Sequence, residues 1–469
     1  MTRIAILGGG PAGYEAALVA AQLGGEVTVI DRDGAGGACV LYDCVPSKAL
    51  IATSDAVTSF RDAAALGLRT ENAGAVAVDM KAMNRRITAL AAKQSDDIQA
   101  RLLRDGVTML PGSGRFAEAQ PARARLIDVL DGDGTVTAQV EADVVLIATG
   151  GTPRELAGSP ADGERILSWR QLYDLTELPE HLVVIGSGVT GAEFASGYSE
   201  LGVPVTLVSS RDRVLPGEDA DAADVIENVF TSRGGTLVKR ARAAAVRRDG
   251  TAGVEVELVD GRTVRGSHGL ICVGSVPATS DLGLANVGIA VDERGYIAVD
   301  RVSRTGAAGI YAAGDCTGLL LLASVAAMQG RIAMWHALGE AVAPLRLKTV
   351  AATVFTHPEI ATVGVSAAAV ASGEVPARSV MLPIGTNPRA KMQGQTDGFV
   401  KIFCRPATGV VVGGVVVAQQ ASELILPVAL AVQRGLTVNE LAGTFSVYPS
   451  LSGSVTEAAR RLMTHDDLD

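Results

Sequence analysis

The chain has 469 residues, of which 48% are hydrophobic, 20% charged and 4% aromatic, and its formal net charge is -10. This length predicts about three domains of ordinary size, and the composition is typical of an α/β protein and excludes a disordered one. No basic stripe offsets the negative charge, so nucleic acid and an anionic membrane are disfavoured as partners.

The pattern lacks signals for export, membrane insertion and metal binding. The first predicted strand begins at Arg3, so we expect no signal peptide and a cytoplasmic protein. The longest apolar run, 319–328, is too short to span a bilayer, and we expect no stable membrane insertion. The five cysteines and five histidines show no zinc spacing, so we expect no metal.

A nucleotide-binding turn opens the chain. A short apolar strand at 4–7 runs into Gly8-Gly9-Gly10-Pro11-Ala12-Gly13, and a helix over 14–23 and a strand over 27–30 follow, ending at Asp31. In a GxGxxG turn the first glycine makes the bend, the second lets the backbone approach a pyrophosphate, and the third lets helix pack on strand. The phosphates lie at the positive helix N-terminus, and the acid accepts hydrogen bonds from a ribose. The predicted cofactor contacts are Gly8, Gly10, Pro11, Ala12, Gly13 and Asp31.

Two cysteines follow in Gly36-Gly37-Ala38-Cys39-Val40-Leu41-Tyr42-Asp43-Cys44-Val45-Pro46-Ser47-Lys48. On a regular helix this spacing separates the Cα atoms by about 7.5 Å, whereas a disulfide wants roughly 4.4–6.8 Å. The pair can therefore close only if the helix is locally distorted, and Pro46 helps by removing a backbone donor. From the residues alone the pair is either a redox disulfide or two buried thiols near a turn.

A second nucleotide fold begins near residue 181, after a strand that ends in Ala148-Thr149-Gly150. Its turn is Gly186-Ser187-Gly188-Val189-Thr190-Gly191, and its second strand is followed by Ser209-Ser210-Arg211 instead of an acid. A carboxylate there would repel a 2′-phosphate, whereas hydroxyls and an arginine tolerate or pair with it. We predict that NADPH is accepted alongside NADH; the alternative is that Arg211 points to water.

The rest of the chain first completes the α/β pattern and then, from about residue 348, changes to an α+β pattern. A buried strand ends at Gly274, another ends at Gly314-Asp315, and a helix is predicted over 322–339. From about residue 348 alternating strands and then helices predict an α+β domain without a phosphate loop. Its expected work is packing, association or completing a site.

In order and spacing these landmarks resemble the class I pyridine nucleotide-disulfide oxidoreductases, which include lipoamide dehydrogenase and glutathione reductase. The matching motifs cover nearly the whole chain and are Gly8-x-Gly10-x-x-Gly13, Gly36-Gly37-x-Cys39-x4-Cys44-x-Pro46-Ser47-Lys48, Ala148-Thr149-Gly150, Gly186-x-Gly188-x-x-Gly191-x-Glu193, Gly314-Asp315 and Ala421-Ser422-Glu423. The resemblance implies an α/β fold with two Rossmann-like three-layer dinucleotide-binding domains, for FAD and NAD(P), plus a C-terminal α+β dimerisation domain that forms a homodimer. The implied boundaries are 1–150 and 278–347 for the FAD domain, 151–277 for the NAD(P) domain and 348–469 for the dimerisation domain.

The resemblance also implies roles for single residues. Asp315 would hold the ribityl chain, and Lys48 would lie by the flavin, paired with Glu193, although that pair could be only a structural ion pair. Cys44 would face the flavin, and Cys39 would point outward as the exchanging thiol. The further predicted cofactor contacts are Gly37, Ala38, Gly114, Ala148, Thr149, Gly150, Gly186, Gly188, Val189, Thr190, Gly191, Ser209, Ser210, Arg211, Gly274, Gly314, Leu322 and Ala323.

The C-terminal segment departs from the disulfide-exchanging members. They carry His-Pro-x-x-x-Glu, whose His takes the proton of the substrate thiol and whose Glu orients that His. Here the segment reads Tyr448-Pro449-Ser450-Leu451-Ser452-Gly453, so a phenol replaces the base and a glycine replaces the acid. A phenol with a pKa near 10 is a poor base at neutral pH, and losing such a base costs about 10²–10⁴-fold in rate.

This ending resembles a lipoamide-dehydrogenase-like branch of NAD(P)H quinone reductases, and the chain is predicted to be an FAD-dependent NAD(P)H:quinone oxidoreductase. Lys48 would stabilise negative charge on reduced flavin. Tyr448 could line the acceptor site, donate a proton or only pack, and Cys39 and Cys44 could be vestigial, regulatory or an electron relay. The alternatives are a dihydrolipoamide dehydrogenase-like disulfide reductase, a soluble pyridine nucleotide transhydrogenase, and a non-enzymatic FAD-binding scaffold, which two intact nucleotide folds disfavour.

Overall fold

The computed structural model describes residues 1–68, 76–121, 124–251 and 253–463. The helices of these residues are α1 (Pro11–Gln22), α2 (Gly37–Leu41), α3 (Cys44–Asp62), α4 (Met80–Arg104), α5 (Val189–Glu200), α6 (Ala220–Ser232), α7 (Ala323–Ala337), α8 (Ala367–Ala371), α9 (Pro388–Met392), α10 (Ala421–Leu424), α11 (Leu426–Arg434), α12 (Val438–Ala442) and α13 (Gly453–Leu462). None of the helices in these ranges is long and apolar enough to cross a membrane.

The strands form six sheets in the described residues. They are β1 (Arg3–Leu7), β2 (Glu26–Asp31), β3 (Thr108–Pro111), β4 (Ser113–Phe116), β5 (Arg125–Leu130), β6 (Val136–Ala142), β7 (Val144–Ile147), β8 (Gly151–Pro153), β9 (Ile166–Ser168), β10 (Leu182–Ile185), β11 (Val205–Val208), β12 (Thr236–Val238), β13 (Ala243–Asp249), β14 (Gly253–Leu258), β15 (Thr263–Gly266), β16 (His268–Ile271), β17 (Ser275–Pro277), β18 (Ile310–Ala312), β19 (Ala351–Val354), β20 (Glu359–Gly364), β21 (Arg378–Pro383), β22 (Phe399–Cys404) and β23 (Val411–Ala418).

The chain divides into two compact units, whereas three domains are predicted. Unit one holds Met1–Ala49, Ala82–Arg154 and Gly274–Leu345, and unit two holds Leu50–Lys81, Glu155–Val273 and Arg346–Asp469. Unit one thus covers most of the predicted FAD domain, 1–150 and 278–347, and unit two covers most of the predicted NAD(P) domain and the predicted dimerisation domain. The domain boundaries stay a prediction.

Unit one is built on a parallel sheet of order β18-β7-β1-β2-β3. The central strand β1 pairs with β2 and with β7. Ile4 and Ile6 pack into a cluster with α1, and Ala5 and Leu7 pack into a second cluster with the antiparallel strands β4, β5 and β6. A strand that buries both faces is typical of a parallel sheet with a layer on each side. The predicted three-layer arrangement is confirmed.

Unit two repeats this arrangement in its first part. Its parallel sheet has the order β12-β11-β10-β16-β9, with β10 paired to β11 and to β16. Val183 and Ile185 of β10 pack with residues of the antiparallel strands β13 and β14. The helix α5 follows β10 and contacts it, so a strand, a glycine turn and a helix again succeed one another.

The second part of unit two is an antiparallel sheet of order β19-β20-β23-β22-β21. Helices α11, α12 and α13 pack on it in one apolar cluster, which confirms the predicted α+β domain. The residues from Ala421 to Arg434 form the two helices α10 and α11 in place of one continuous helix. Pro427 in the first turn of α11 supplies the reason, because proline disfavours the helical conformation of the residue before it and lacks an N–H.

Candidate active site

The first glycine turn has the shape that a pyrophosphate needs. Gly8 has a φ of 107°, and a Cβ added to it would lie 2.3 Å from the carbonyl oxygen of Ala148. A Cβ on Gly13 would lie 1.8 Å from the carbonyl oxygen of Gly8, whereas one on Gly10 would have nothing within 4 Å. The N-terminus of α1, which starts at Pro11, has no side-chain cap. Its amide groups are therefore available to an anion in the open space beside Gly10.

Asp31 holds the loops around this turn. Its Oδ2 accepts from the Gly9 amide at 2.6 Å, and its Oδ1 accepts from the amides of Asp33 at 2.8 Å and Gly34 at 2.6 Å. Burial raises the pKa of Asp31, and these three donors offset part of that rise. The carboxylate thus fixes the turn, and its contact with a ribose stays a prediction.

The two cysteines lie on either side of a break between two helices. α2 ends at Leu41 and α3 begins at Cys44, and both cysteines are free thiols. A hydrogen bond between the two thiols lowers the pKa of Cys39 and raises the pKa of Cys44, and burial raises that of Cys44 further. The charge of Lys48 favours the thiolate form of both. Cys39 is therefore the thiol that ionises more readily.

Lys48 and Glu193 are each anchored within their own unit. In unit one the Lys48 Nζ donates to the Ser47 hydroxyl at 3.3 Å. In unit two Glu193 is buried, and its Oε1 accepts from the Phe355 amide at 2.8 Å. The pairing of Lys48 with Glu193 stays a prediction.

Two polar groups of unit one point to a polyol-like ligand. The Thr149 Oγ1 is buried and has no hydrogen-bond partner among the described residues. Burial, together with the charge of Asp43, raises the pKa of Asp315 to about 6. Buried polar groups are normally satisfied, so both favour a ligand that carries hydroxyl groups.

Most other predicted contacts of unit one lie around these features. A Cβ on Gly37 would lie 2.8 Å from the Cα of Gly10, so the start of α2, with Ala38, lies against the first turn. Gly150 and Gly274 have positive φ and open space beside them. Gly314 also has positive φ, and Leu322 and Ala323 form the uncapped start of α7. Gly114 packs instead against β1, because a Cβ there would lie 2.5 Å from the Leu7 side chain.

The second glycine turn reproduces the first. A Cβ on Gly186 would lie 2.2 Å from the Cys272 carbonyl oxygen, and one on Gly191 would lie 1.9 Å from the Gly186 carbonyl oxygen. A Cβ on Gly188 would again have nothing within 4 Å. The helix α5, which begins with Val189 and Thr190, has no side-chain cap. This turn can therefore hold a second pyrophosphate.

The residues after β11 divide into a buried hydroxyl and an exposed cation. Ser209 is fully buried, its Oγ lies 2.7 Å from the Ser187 Oγ, and it accepts from the Arg211 amide at 3.1 Å. Ser210 and Arg211 are exposed, and no ion pair is formed by the Arg211 guanidinium within the described part of the chain. Ser209 thus holds the turn, while Arg211 is free to meet an anion.

The C-terminal segment is open around its two unusual residues. Tyr448 lies before α13 with 82% of its surface exposed. Gly453 is the first residue of α13, and a Cβ added there would come no closer than 3.8 Å to another atom, the Ser450 Oγ. Neither position is closed by packing within the chain.

Family models match both parts of the chain. Residues 2–330 match the pyridine nucleotide-disulphide oxidoreductase model, and residues 350–459 match the dimerisation domain of the same family. The chain belongs to the pyridine nucleotide-disulphide oxidoreductase family. The predicted family and enzyme class are confirmed, and this oxidoreductase is a flavoprotein.

Relatives and solved structures agree with this family. NAD(P)H dehydrogenase (quinone) from Mycobacterium tuberculosis is 62% identical over 473 aligned residues, which cover 100% of this chain and 95% of the relative. Dihydrolipoyl dehydrogenase 2 from Haloarcula marismortui is 33% identical over 463 residues, which cover 98% and 96%. The crystal structure of LpdA from Mycobacterium tuberculosis superposes with a TM-score of 0.94 at 61% identity and covers 99% of this chain and 100% of that one.

Pyridine nucleotide-disulphide oxidoreductases use FAD and NAD(P)H, and the chain has the features that such cofactors need. The open space at Gly10 and Gly188 and the two uncapped helix starts suit two pyrophosphates. The unsatisfied Thr149 hydroxyl and the half-buried Asp315 suit a polyol chain.

Sequence reasoning missed Ser187, although the turn that contains it was identified. The residue occupies the position that Gly9 has in the first turn, and its hydroxyl bonds to Ser209. A comparison of the two turns would have revealed it, because Asp31 and Ser209 follow paired strands at the same position.

Proposed function

We propose that the chain is an FAD-dependent NAD(P)H:quinone oxidoreductase that acts as a homodimer. The observation that carries this proposal is the exposed Tyr448, with a glycine at 453 where an orienting acid is expected, in a chain that also has two intact nucleotide turns. A phenol without an orienting acid cannot efficiently take a thiol proton at neutral pH, whereas reduction of a quinone needs no thiol base. The 62% identity to a protein named NAD(P)H dehydrogenase (quinone) supports the same acceptor.

The two glycine turns would each bind a different dinucleotide. The turn at Gly8–Gly13 and the half-buried Asp315 would hold FAD, which accepts a hydride and delivers electrons when bound. The turn at Gly186–Gly191 would hold NAD(P)H, and the unpaired Arg211 would bind a 2′-phosphate by charge-assisted hydrogen bonds. The cationic Lys48 would stabilise negative charge that develops beside it.

Steady-state kinetics with NADPH and either menadione or lipoamide tests the proposal. We expect menadione to be reduced and lipoamide turnover to be lower by about 10²-fold or more, the usual cost of a missing base. The matched control is Tyr448→Phe, which keeps the ring and loses the hydroxyl: unchanged menadione turnover would assign Tyr448 to packing. Lipoamide turnover as fast as menadione turnover would refute the proposal.

A disulfide reductase is the second candidate, because the two thiols are hydrogen-bonded and the pKa of Cys39 is lowered. The Cys39→Ser variant separates the candidates. Unchanged quinone turnover in this variant would show that the pair is not an obligatory electron relay. A loss of quinone turnover, together with a long-wavelength thiolate–flavin band in the wild-type protein reduced without oxygen, would assign the pair to the electron path.

A further inference from the structure

Three metal-ligating side chains from distant parts of the sequence meet in unit two. Asp55 lies on α3, Glu200 ends α5, and His357 lies between β19 and β20. The His357 Nδ1 is 2.9 Å from the Asp55 Oδ1 and 4.0 Å from the Glu200 Oε2. One ligand atom from each of the three residues lies within 4.8 Å of the other two, so the three atoms converge on one point.

The single proton on the His357 Nδ1 cannot be hydrogen-bonded equally well to both the Asp55 and the Glu200 carboxylate. With its Nε2 facing the Gln419 amide nitrogen at 3.4 Å, neutral His357 carries its proton on Nδ1, where it can be donated to Asp55. Among the described residues, the Glu200 Oε2 then accepts a hydrogen bond only from the Thr58 hydroxyl, at 3.3 Å. A cation at the same point would be shared by all three electron-pair donors, which a single N–H cannot be.

The carboxylate of Glu200 is already oriented for such a role. Its Oε1 accepts from the Ser196 Oγ at 2.9 Å and lies 3.3 Å from the Arg233 Nη1. These contacts leave Oε2 turned toward His357, in the way that outer hydrogen bonds fix metal ligands. The side chain of Glu200 is 2% exposed and that of Asp55 is 48% exposed, so the point is reached from solvent past Asp55.

We propose that Asp55, Glu200 and His357 bind a divalent first-row transition metal such as Zn²⁺. One imidazole nitrogen and two carboxylate oxygens, with positions left for water, suit such an ion, whereas Mg²⁺ and Ca²⁺ prefer oxygen ligands alone. Bonds of about 2.0–2.2 Å put neighbouring ligand atoms roughly 3.0–3.5 Å apart. The observed distances from the His357 Nδ1 are 2.9 and 4.0 Å, and the two carboxylate oxygens lie within 4.8 Å of each other, so side-chain rotations that move the ligand atoms by about an ångström bring all three pairs into that range. The metal replaces the Nδ1 proton of His357, which is released to water.

An ion at this site would link two helices, α3 and α5. Asp55 follows Lys48 on α3, and Glu200 follows Glu193 on α5, in each case by about two helical turns. A metal held by Asp55 and Glu200 joins the parts of α3 and α5 that lie in unit two.

Isothermal titration of the flavin-loaded protein with Zn²⁺, after removal of metals with EDTA, tests the site. We expect one Zn²⁺ per chain, and at least about tenfold weaker binding in Asp55→Asn and in His357→Gln. Asp55 is half-exposed, so its variant keeps the test valid if the His357 variant fails to fold. The control His336→Gln removes an imidazole that bonds to the Tyr311 hydroxyl and should leave the affinity unchanged.

Reduced Cys39 and Cys44 are a rival zinc site, and Cys39→Ser distinguishes it. Binding that survives in Cys39→Ser and is lost in Asp55→Asn supports the proposal. Binding that is lost in Cys39→Ser, binding that is unchanged in both Asp55→Asn and His357→Gln, or no binding by the wild-type protein at micromolar Zn²⁺ would each overturn it.

Discussion

At the scale of single residues, the proposed loss of dithiol exchange depends on Tyr448 and Gly453. The exposed phenol leaves room for an imidazole, and the nearest atom to a Cβ on Gly453 is 3.8 Å away. Such a distance is ordinary van der Waals contact, so an acid can be introduced at Gly453 without displacing its neighbours. The two positions can therefore be changed without disturbing the packing of α13.

The double variant Tyr448→His/Gly453→Glu should gain disulfide reductase activity. A positioned base contributes about 10²–10⁴-fold, and we expect lipoamide turnover with NADH to rise at least about tenfold while menadione turnover changes little. Steady-state rates with both acceptors measure this. Tyr448→His alone is the control and should gain less, because nothing orients its imidazole. An unchanged lipoamide rate in the double variant with full flavin content would contradict the assigned cause.

At the scale of elements, the two glycine turns differ in one pair of contacting residues, the second residue of the turn and the residue at the end of the following strand. In the first turn the Gly9 amide donates to Asp31 at 2.6 Å, and a Cβ on Gly9 would lie 3.2 Å from the Asp31 carboxyl carbon. In the second turn Ser187 and Ser209 join their hydroxyls at 2.7 Å. A side chain at the position of Gly9 would therefore be crowded by the acid at the end of the strand, whereas the serine in the second turn is hydrogen-bonded to the hydroxyl of Ser209.

This pairing predicts how the preference for NADPH over NADH can be changed by mutation. Ser187→Gly/Ser209→Asp should place a carboxylate where it repels a 2′-phosphate, so the NADPH-to-NADH ratio of kcat/KM should fall about tenfold or more. The single variant Ser209→Asp crowds the Cβ of Ser187 and should lower the Tm. Arg211→Ala is the matched control and should lower kcat/KM for NADPH while leaving kcat/KM for NADH unchanged. A ratio unchanged in the double variant would contradict the role of the pair.

At the scale of the whole molecule, an apolar segment before α13 is left uncovered. Phe445 is fully exposed, and Val447 and Tyr448 are 77% and 82% exposed. Apolar side chains grouped in this way mark interaction surfaces, and the segment lies within the matched dimerisation domain. A second copy of the chain is the partner that this domain implies.

The variant Phe445→Asp should therefore weaken the homodimer, because a carboxylate cannot be buried against an apolar surface without a partner. Sedimentation velocity over a range of concentrations should show a dimer for the wild-type protein and a dissociation constant at least about tenfold higher for the variant. Val259→Asp changes an exposed apolar residue beside β14 and should leave the dimer intact. A monomeric wild-type protein, or equal effects of both variants, would contradict the assignment.

The structural features that could be predicted from the sequence are those that depend on residues close to one another along the chain. The steric needs of Gly8 and Gly13 involve a few neighbours within one strand–turn–helix, so spacing alone revealed the turn. The cysteine spacing predicted a local distortion of the helix only for a disulfide-bonded pair, whereas both cysteines are free thiols at the break between α2 and α3. Burial does not have a local cause: Ser209, predicted to tolerate or pair with a 2′-phosphate, is covered completely. The meeting of His357 with two acids depends on how α3, α5 and the β19–β20 connection pack, and no spacing encodes it.

The matched glycine turns carry an evolutionary consequence. Their closest contacts agree within 0.1 Å, at 2.3 and 2.2 Å for the first glycine and 1.8 and 1.9 Å for the third. Selection on such a turn would act through the backbone sterics of the first and third glycines, while the residue in the turn and the residue after the second strand would vary together. Evolution could therefore shift the preference between NADPH and NADH by changing two linked side chains, without altering the glycine framework that meets the phosphates.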